Sequence, residues 1–154
     1  MEEFDLSELT EMVAEETQGL AESKAVTLTA EIEPGILVKA DQTLLMRIWL
    51  NLLTNAVKYG RQQGQIWLTL KSDGKNAVGT VRDDGIGISA AELPKIWKRF
   101  YRVNTARSSG DDSGTGLGLA MVKWMVESHG GTVSAVSTLG AGSTFSFTIP
   151  LRPS

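Results

Sequence analysis

The sequence predicts an α/β (α+β) fold, a two-layer α/β sandwich in which three long helices cover one face of a mixed, mostly antiparallel sheet. Segments with apolar residues at helical spacing are interspersed with short runs in which apolar and polar residues alternate. Turn-forming glycines and prolines separate these segments. The chain has 154 residues, of which 42% are hydrophobic and 21% charged, so it can bury a core and is expected to form a single domain over residues 1–154.

The first part of the chain is predicted to form a helix and two strands. Ser7 stands in the N-cap position of an acidic amphipathic helix that ends near Glu22. Residues 26–32 alternate in strand fashion, Pro34-Gly35 forms a turn, and residues 36–40 give a second, short strand.

The middle of the chain is predicted to form a long helix and a hairpin. Asp41 caps the helix, which ends at Tyr59-Gly60. Its apolar residues follow a helical spacing: Leu44, Leu45, Ile48, Leu52, Leu53, Ala56 and Val57. Residues 65–70 and 77–81 are two strands joined by a turn at 72–75.

The last part is predicted to contain short helices from Ser89 and from Pro94, followed by a long loop. Residues 103–115 are rich in Ser, Asp, Asn and Gly, and a loop of that length in a compact domain is usually functional or disordered. A third long helix then continues to Ser128. The closing strands are 132–137 and 143–150.

Composition excludes several kinds of site. There is no cysteine, which rules out disulfides, thiolate metal sites and cysteine nucleophiles. The single histidine, His129, rules out sites with several histidine ligands, and its place beside two glycines at a helix end predicts a structural role. No apolar stretch approaches the roughly 18 residues of a membrane span, and no signal peptide is expected.

The net charge of −3 is unevenly distributed along the chain. Residues 1–41 carry eleven acidic residues and two lysines, whereas residues 42–154 carry seven acidic and thirteen basic residues. The acidic excess argues against general nucleic-acid binding. One basic run either meets a polyanionic ligand or forms a solvated surface: Lys95, Lys98, Arg99, Arg102 and Arg107.

The first candidate site is the motif Asp83-x-Gly85-x-Gly87, which directly follows a predicted strand. Its glycines let the backbone turn sharply and leave one carboxylate fixed at the strand end. That carboxylate can accept a hydrogen bond from an amino group, such as that of a purine base. A plain turn is the alternative, and a metal pair with Asp84 is disfavoured because adjacent strand residues point to opposite faces.

The second candidate site is Gly114-x-Gly116-x-Gly118, which precedes a helix. Backbone N–H groups at a helix start would receive a phosphate chain, and a flexible loop end is the alternative. The dinucleotide-binding and Walker patterns do not fit. The segment follows a polar loop, Met121 stands where the third glycine would, and no Gly-Lys-Ser/Thr occurs.

The third candidate site lies on the long helix. Asn51 and Asn55 are four residues apart and therefore share a face, with Lys58 one turn further on. Amide oxygens are hard ligands that suit Mg²⁺, which usually keeps several waters and binds substrate phosphates. Two ordinary surface asparagines are the alternative.

These motifs, in this order, resemble those of the catalytic ATP-binding domain of sensor histidine kinases. Residues 51–59, 83–88, 100–102 and 114–120 are similar to that family's N, G1, F and G2 boxes. The ending, with His129-Gly130-Gly131 and the later Gly-Ser-Thr-Phe sequence, is similar as well, so the resemblance covers essentially the whole chain. It implies the Bergerat ATP-binding fold.

The resemblance implies ATP and Mg²⁺ as cofactors. Asp83 would accept the adenine amino group, Asn55 would be the main Mg²⁺ ligand, and residues 103–115 would form the ATP lid. Asn51, Asn55 and Lys58 would be the catalytic residues. The implied ATP-binding set is Asn51, Asn55, Lys58, Tyr59, Asp83, Gly85, Gly87, Ile88, Tyr101, Arg102, Gly114, Thr115, Gly116, Leu117, Gly118 and Leu119.

Position 51 bears on the reaction, because the same fold serves gyrase-, Hsp90- and MutL-type ATPases. Those hydrolases carry a glutamate there that activates water, whereas Asn51 cannot act as a general base. The implied function is donation of the γ-phosphate to a histidine on a dimerisation domain absent from this chain. A nucleotide-sensing interaction module and an anti-sigma-type serine kinase are the alternatives.

The resemblance also implies partners and a location. The expected partners are a histidine-bearing dimerisation domain of the same parent protein and, downstream, a response regulator, with no nucleic acid. The isolated domain is expected to be a monomer that does not autophosphorylate. It would be a cytoplasmic domain of an inner-membrane sensor.

Overall fold

The computed structural model describes residues 1–98 and 118–152. The elements are β1 (Glu2–Asp5), α1 (Leu6–Ser23), β2 (Thr27–Ile32), β3 (Leu37–Ala40), α2 (Gln42–Tyr59), β4 (Gln65–Ser72), β5 (Asn76–Asp83), a 3-10 helix (Leu93–Lys95), α3 (Gly118–Glu127), β6 (Val133–Thr138) and β7 (Gly142–Pro150). In the described part of the chain, no helix has the length and apolar character that a membrane span requires.

Five strands form the main sheet, in the order β2-β4-β5-β7-β6. β2 runs parallel to β4, whereas the other neighbours are antiparallel, and β4 and β5 form the predicted hairpin. α2 lies between α1 and α3 and contacts both of them. The predicted two-layer α/β sandwich with a mixed, mostly antiparallel sheet is confirmed.

The core lies between the helices and the inner face of the sheet. On α2 the predicted apolar stripe is buried except for Leu44, which is half-buried, and Trp49, which belongs to the same face, is buried completely. Its ring meets that of Phe147 edge to face, with centroids 4.9 Å apart, a contact worth about 0.5–1.5 kcal/mol beyond its burial. Along β5 every second residue points into this core, and Asp83 takes the last inward position.

A second, two-stranded sheet lies apart from the main one. The strand predicted over residues 36–40 pairs antiparallel with β1, a strand that the sequence did not predict. Leu151, just after β7, bridges to Val38 in β3, so the start and the end of the described chain meet here. Short strands carry little periodic signal, because four residues give only two positions on each face.

Asp5, rather than Ser7, caps α1, so the N-cap prediction is wrong. The Asp5 Oδ1 accepts the Glu8 N–H at 3.1 Å. Ser7 is buried in the first turn, where its Oγ donates to the Glu33 carbonyl at 2.5 Å and accepts the Ile36 N–H at 3.1 Å. These partners lie in the β2–β3 connection, which local sequence spacing cannot reveal.

His129 has the structural role that the sequence predicts. The predicted cap, Asp41, accepts the Leu44 N–H at 3.1 Å and donates its own N–H to His129 Nε2, also at 3.1 Å. The His129 Nδ1 lies 2.7 Å from the Met125 carbonyl. Because Nε2 accepts, Nδ1 carries the proton, and the ring is the neutral Nδ1–H tautomer. His129 thereby joins the end of α3 to the start of α2.

The short helices predicted from Ser89 and Pro94 are wrong in type and extent. The Ser89 carbonyl accepts the N–H groups of Glu92 at 3.1 Å and Leu93 at 3.0 Å, which makes a turn rather than a helix. Among the described residues of this segment, regular structure is limited to the 3-10 helix. Pro94 has no N–H with which to continue the preceding turn, and it is well tolerated in the first turn of the 3-10 helix.

Candidate functional site

A buried carboxylate lies at the end of β5. Asp83 is 5% exposed, with Ile66 of β4 and Ser143 of β7 opposite it. Its Oδ1 accepts the Gly85 N–H at 2.8 Å. A carboxylate has about four acceptor positions, so Asp83 can accept several donors at once. Burial of the charge makes each of these hydrogen bonds valuable, because an ionised group without donors is costly in a core.

Residues 83–88, here called the Asp83 loop, are packed between α2 and residues 137–142, which comprise the end of β6, the connection and the start of β7 and are here called the β6–β7 turn. A Cβ on Gly85 would lie 2.3 Å from the Tyr59 carbonyl oxygen, at the end of α2. Gly87 has a left-handed φ of 71°, and a Cβ there would lie 2.1 Å from the Thr138 carbonyl oxygen. Only glycine fits at these two positions, because a Cβ would collide with a backbone carbonyl oxygen. The motif therefore places the backbone closely against two neighbouring elements.

Asp84 points away from Asp83, as the sequence predicts for adjacent residues at a strand end. Its Oδ1 accepts the Gln65 N–H at 2.9 Å, at the start of β4. Within residues 1–98 and 118–152, no three His, Cys, Asp or Glu side chains come together as a metal site.

The polar face of α2 ends beside the Asp83 loop. Asn51 and Asn55 are half-buried one turn apart on this helix. Lys58 is exposed, with Nζ 5.5 Å from the centroid of the Tyr59 ring. The Tyr59 carbonyl accepts the Ile86 N–H at 3.3 Å. This hydrogen bond ties the helix end to the loop, so the amide face and the buried carboxylate belong to one region.

Several residues of the predicted site lie outside the described part of the chain. They are Tyr101, Arg102, Gly114, Thr115, Gly116 and Leu117, together with the predicted lid at 103–115 and most of the basic run. Of the described members, Ile88, the last residue of the Asp83 loop, is buried. Gly118 and Leu119 are the first residues of α3.

Sequence reasoning missed Arg61 and the role of Ser137, which both contact the Asp83 loop. The Arg61 Nε donates to the Asp84 carbonyl at 2.6 Å, and another guanidinium nitrogen donates to the Gly140 carbonyl. The Ser137 Oγ accepts the Ile88 N–H at 2.7 Å. These partners are 23, 79 and 49 residues away in the chain, so no local pattern could have indicated them.

The described residues fit an adenine nucleotide with a hard cation. The buried Asp83 carboxylate suits an exocyclic amino group, and the backbone that follows it packs closely against its neighbours at Gly85 and Gly87. Asn51 and Asn55 supply amide oxygens of the kind that Mg²⁺ accepts alongside phosphate oxygens and water. A cation bound in this way does not require several protein carboxylates as ligands, since the nucleotide phosphates supply the negative charge.

A family described as histidine kinase-, DNA gyrase B-, and HSP90-like ATPases matches residues 40–153. The chain belongs to this family. Within it, the similarity is to sensor histidine kinases. The sensor histidine kinase TmoS of Ectopseudomonas mendocina is 38% identical over 96% of the chain. The solved structure of the mycobacterial sensor histidine kinase MprB superposes with a TM-score of 0.86 at 29% identity and covers 99% of this chain and 100% of that one.

The chain corresponds to one part of longer relatives. It spans 15% of the length of TmoS. It spans 31% of the solved chain of full-length ShkA in complex with AMPPNP, which covers 98% of this chain with a TM-score of 0.83 and 29% identity. The match identifies the chain as a catalytic, ATP-binding domain of the two-component sensor histidine kinase type.

Proposed function

We propose that this chain binds Mg·ATP and donates the γ-phosphoryl group to a histidine on a separate dimerisation domain. The observation that carries the proposal is the Asp83 carboxylate, 5% exposed and fixed at the end of β5 by the Gly85 N–H. Asp83 would accept a hydrogen bond from the adenine 6-amino group. This assigns the base to the Asp83 loop and leaves the phosphates to extend toward α2.

The phosphate end of the site would be formed by α2. Asn55 would be the main Mg²⁺ ligand, and Asn51 and Lys58 would lie along the phosphates. When bound, Mg²⁺ would offset the negative charge of the phosphates during transfer of the γ-phosphoryl group. The remaining predicted contacts, Tyr101, Arg102 and residues 114–117, belong to the same proposal.

Transfer is favoured over hydrolysis by the residue at position 51. Activation of water requires a general base near the γ-phosphate, and an amide has no proton-accepting function at neutral pH. His129 does not compete as the phosphoacceptor, because both ring nitrogens are engaged by Met125 and Asp41. The nucleophile would therefore be supplied by another domain.

Partners and location follow from the same proposal. The histidine-bearing dimerisation domain of the parent protein would receive the phosphoryl group, and a response regulator would receive it next. Dimerisation would reside in that other domain, so the isolated chain would be a monomer. The domain would face the cytoplasm, where ATP is available, as part of an inner-membrane sensor.

The first test is the Asp83→Asn variant. Asparagine keeps an acceptor for the Gly85 N–H but loses the charge and one carboxylate acceptor. A hydrogen bond to a charged group is worth about 1.5–3 kcal/mol, so ATP affinity should fall by roughly tenfold to a hundredfold. Competition with a fluorescent ATP analogue measures it. Asp73→Asn is the matched control, since Asp73 lies in the β4–β5 turn at the other end of the sheet. Equal affinity in the two variants would refute the adenine assignment.

The second test is transfer itself. A separately made histidine-bearing dimerisation domain is mixed with this chain and ATP labelled at the γ-phosphate, and the label on that histidine is counted. Labelling that depends on Asn55 supports the kinase. ATP binding without labelling would instead favour a nucleotide-sensing module. Stable label on His129 would contradict the proposal that another domain supplies the phosphoacceptor histidine.

A further inference from the structure

Arg61 lies in the connection between α2 and β4, immediately after the end of the proposed phosphate-binding helix. Its side chain is exposed, yet two of its nitrogens are engaged by backbone carbonyls. The Nε donates to Asp84 at 2.6 Å, and a terminal nitrogen donates to Gly140. The first carbonyl belongs to the Asp83 loop and the second to the β6–β7 turn, so one guanidinium group joins two segments that are far apart in sequence.

The same two segments are joined by backbone and hydroxyl hydrogen bonds. The Gly140 N–H donates to the Ile86 carbonyl at 2.7 Å. The Ile88 N–H donates to the Ser137 Oγ at 2.7 Å, and that oxygen donates in turn to the Gly142 carbonyl at 2.9 Å. The β6–β7 turn thus holds the far side of the Asp83 loop. Arg61 holds the loop directly beside the carboxylate, at the residue that follows it.

We propose that Arg61 is a positioning residue for adenine recognition, an inference that rests on the proposed function. By fixing the Asp84 carbonyl against the β6–β7 turn, Arg61 sets the direction of the Asp83 carboxylate without contacting the base. A guanidinium group is suited to this task, since its planar fork donates to two carbonyls in a fixed geometry. An ammonium group has the same charge but no such fork.

A direct role of Arg61 in phosphate binding predicts different behaviour. Attraction to the phosphates would act equally on every nucleoside triphosphate and would survive in Arg61→Lys. Positioning of Asp83 acts only on nucleotides with an amino group at the 6-position. The quantity that separates the two roles is the ratio of affinities for ATP and for purine riboside triphosphate, in which hydrogen replaces the 6-amino group.

The experiment measures this ratio for the wild type, Arg61→Met and Arg61→Lys by competition with a fluorescent ATP analogue. Lys75→Met is the matched control, because Lys75 is an exposed cation in the turn at the opposite end of the sheet. Far-UV circular dichroism and the thermal midpoint show that each variant is folded. A loss of global stability lowers both affinities together and leaves the ratio unchanged.

We expect Arg61→Met and Arg61→Lys each to lower ATP affinity about threefold to tenfold, the size of a typical hydrogen bond, and to lower the ratio by a similar factor. Lys75→Met should change neither. An unchanged ratio in Arg61→Met, or a wild-type ratio in Arg61→Lys, overturns the positioning role.

Asp83→Asn separates this inference from the proposed function. If that variant keeps the wild-type ratio, the adenine assignment itself is wrong. If its ratio falls to about one while that of Arg61→Met does not change, only the inference about Arg61 is wrong.

Discussion

The β6–β7 turn offers a matched pair of substitutions that tests how tightly the Asp83 loop is held. Gly140 and Gly142 have left-handed φ angles of 86° and 106°. A Cβ at Gly140 would meet no atom within 4 Å, whereas a Cβ at Gly142 would lie 2.0 Å from the Asp83 carbonyl oxygen and 2.8 Å from the Asp84 Cα. Gly140→Ala and Gly142→Ala therefore share the backbone penalty and differ in the collision with the strand end that bears the carboxylate.

The expected costs follow from these contacts. A left-handed backbone at a residue with a Cβ costs roughly 1–2 kcal/mol, which is the full expected loss of unfolding free energy for Gly140→Ala. Overpacking adds about 1–3 kcal/mol, so Gly142→Ala should cost about 2–5 kcal/mol in all. The higher part of this range is expected, because the atoms in the way are backbone atoms of Asp83 and Asp84 and cannot rotate aside.

Urea denaturation followed by circular dichroism measures the difference between the two variants. The thermal midpoint should shift by about 2–4 °C for each kcal/mol in a domain of this size. ATP affinity, measured where both variants are folded, should fall for Gly142→Ala and stay near the wild-type value for Gly140→Ala. Equal destabilisation by the two substitutions would show that the Asp83 strand end is not confined by this turn, and the reasoning would be wrong.

Two further predictions concern residues outside the site. His129→Ala leaves the Asp41 N–H without its acceptor and should lower the unfolding free energy in urea by about 1–3 kcal/mol; normal stability with a loss of phosphoryl transfer would contradict the structural role. Backbone N–H groups of Asn76 and Lys75 hold the pKa of Asp73 below its usual value. The charged form therefore stabilises the hairpin above the unfolded pKa, and this contribution is lost as the pH falls through the folded pKa. The difference in urea midpoint between the wild type and Asp73→Asn should accordingly shrink in acid, and a difference that grows would refute this.

The sequence predicted most regular elements because their signals are local. The apolar stripe of α2 recurs within one helix, and its Asp41 cap contacts Leu44, three residues later. The same reasoning failed at Ser7, whose spacing suits a cap but whose partners come from the β2–β3 connection. Local periodicity indicates which face of an element is buried, but it does not say what lies against that face.

The candidate site divides in the same way. By itself, the sequence determined that a carboxylate ends a strand before two glycines and that two asparagines share a helix face, since each pattern lies within nine residues or fewer. The sequence also determined the family resemblance, because that resemblance depends on the motifs and on their order along the chain. Only the tertiary structure decided that Arg61 and the β6–β7 turn hold the Asp83 loop. Those hydrogen bonds join residues 23 to 79 positions apart, and such pairs meet only when the strand order β2-β4-β5-β7-β6 brings the end of α2 and the last turn to the same edge of the site.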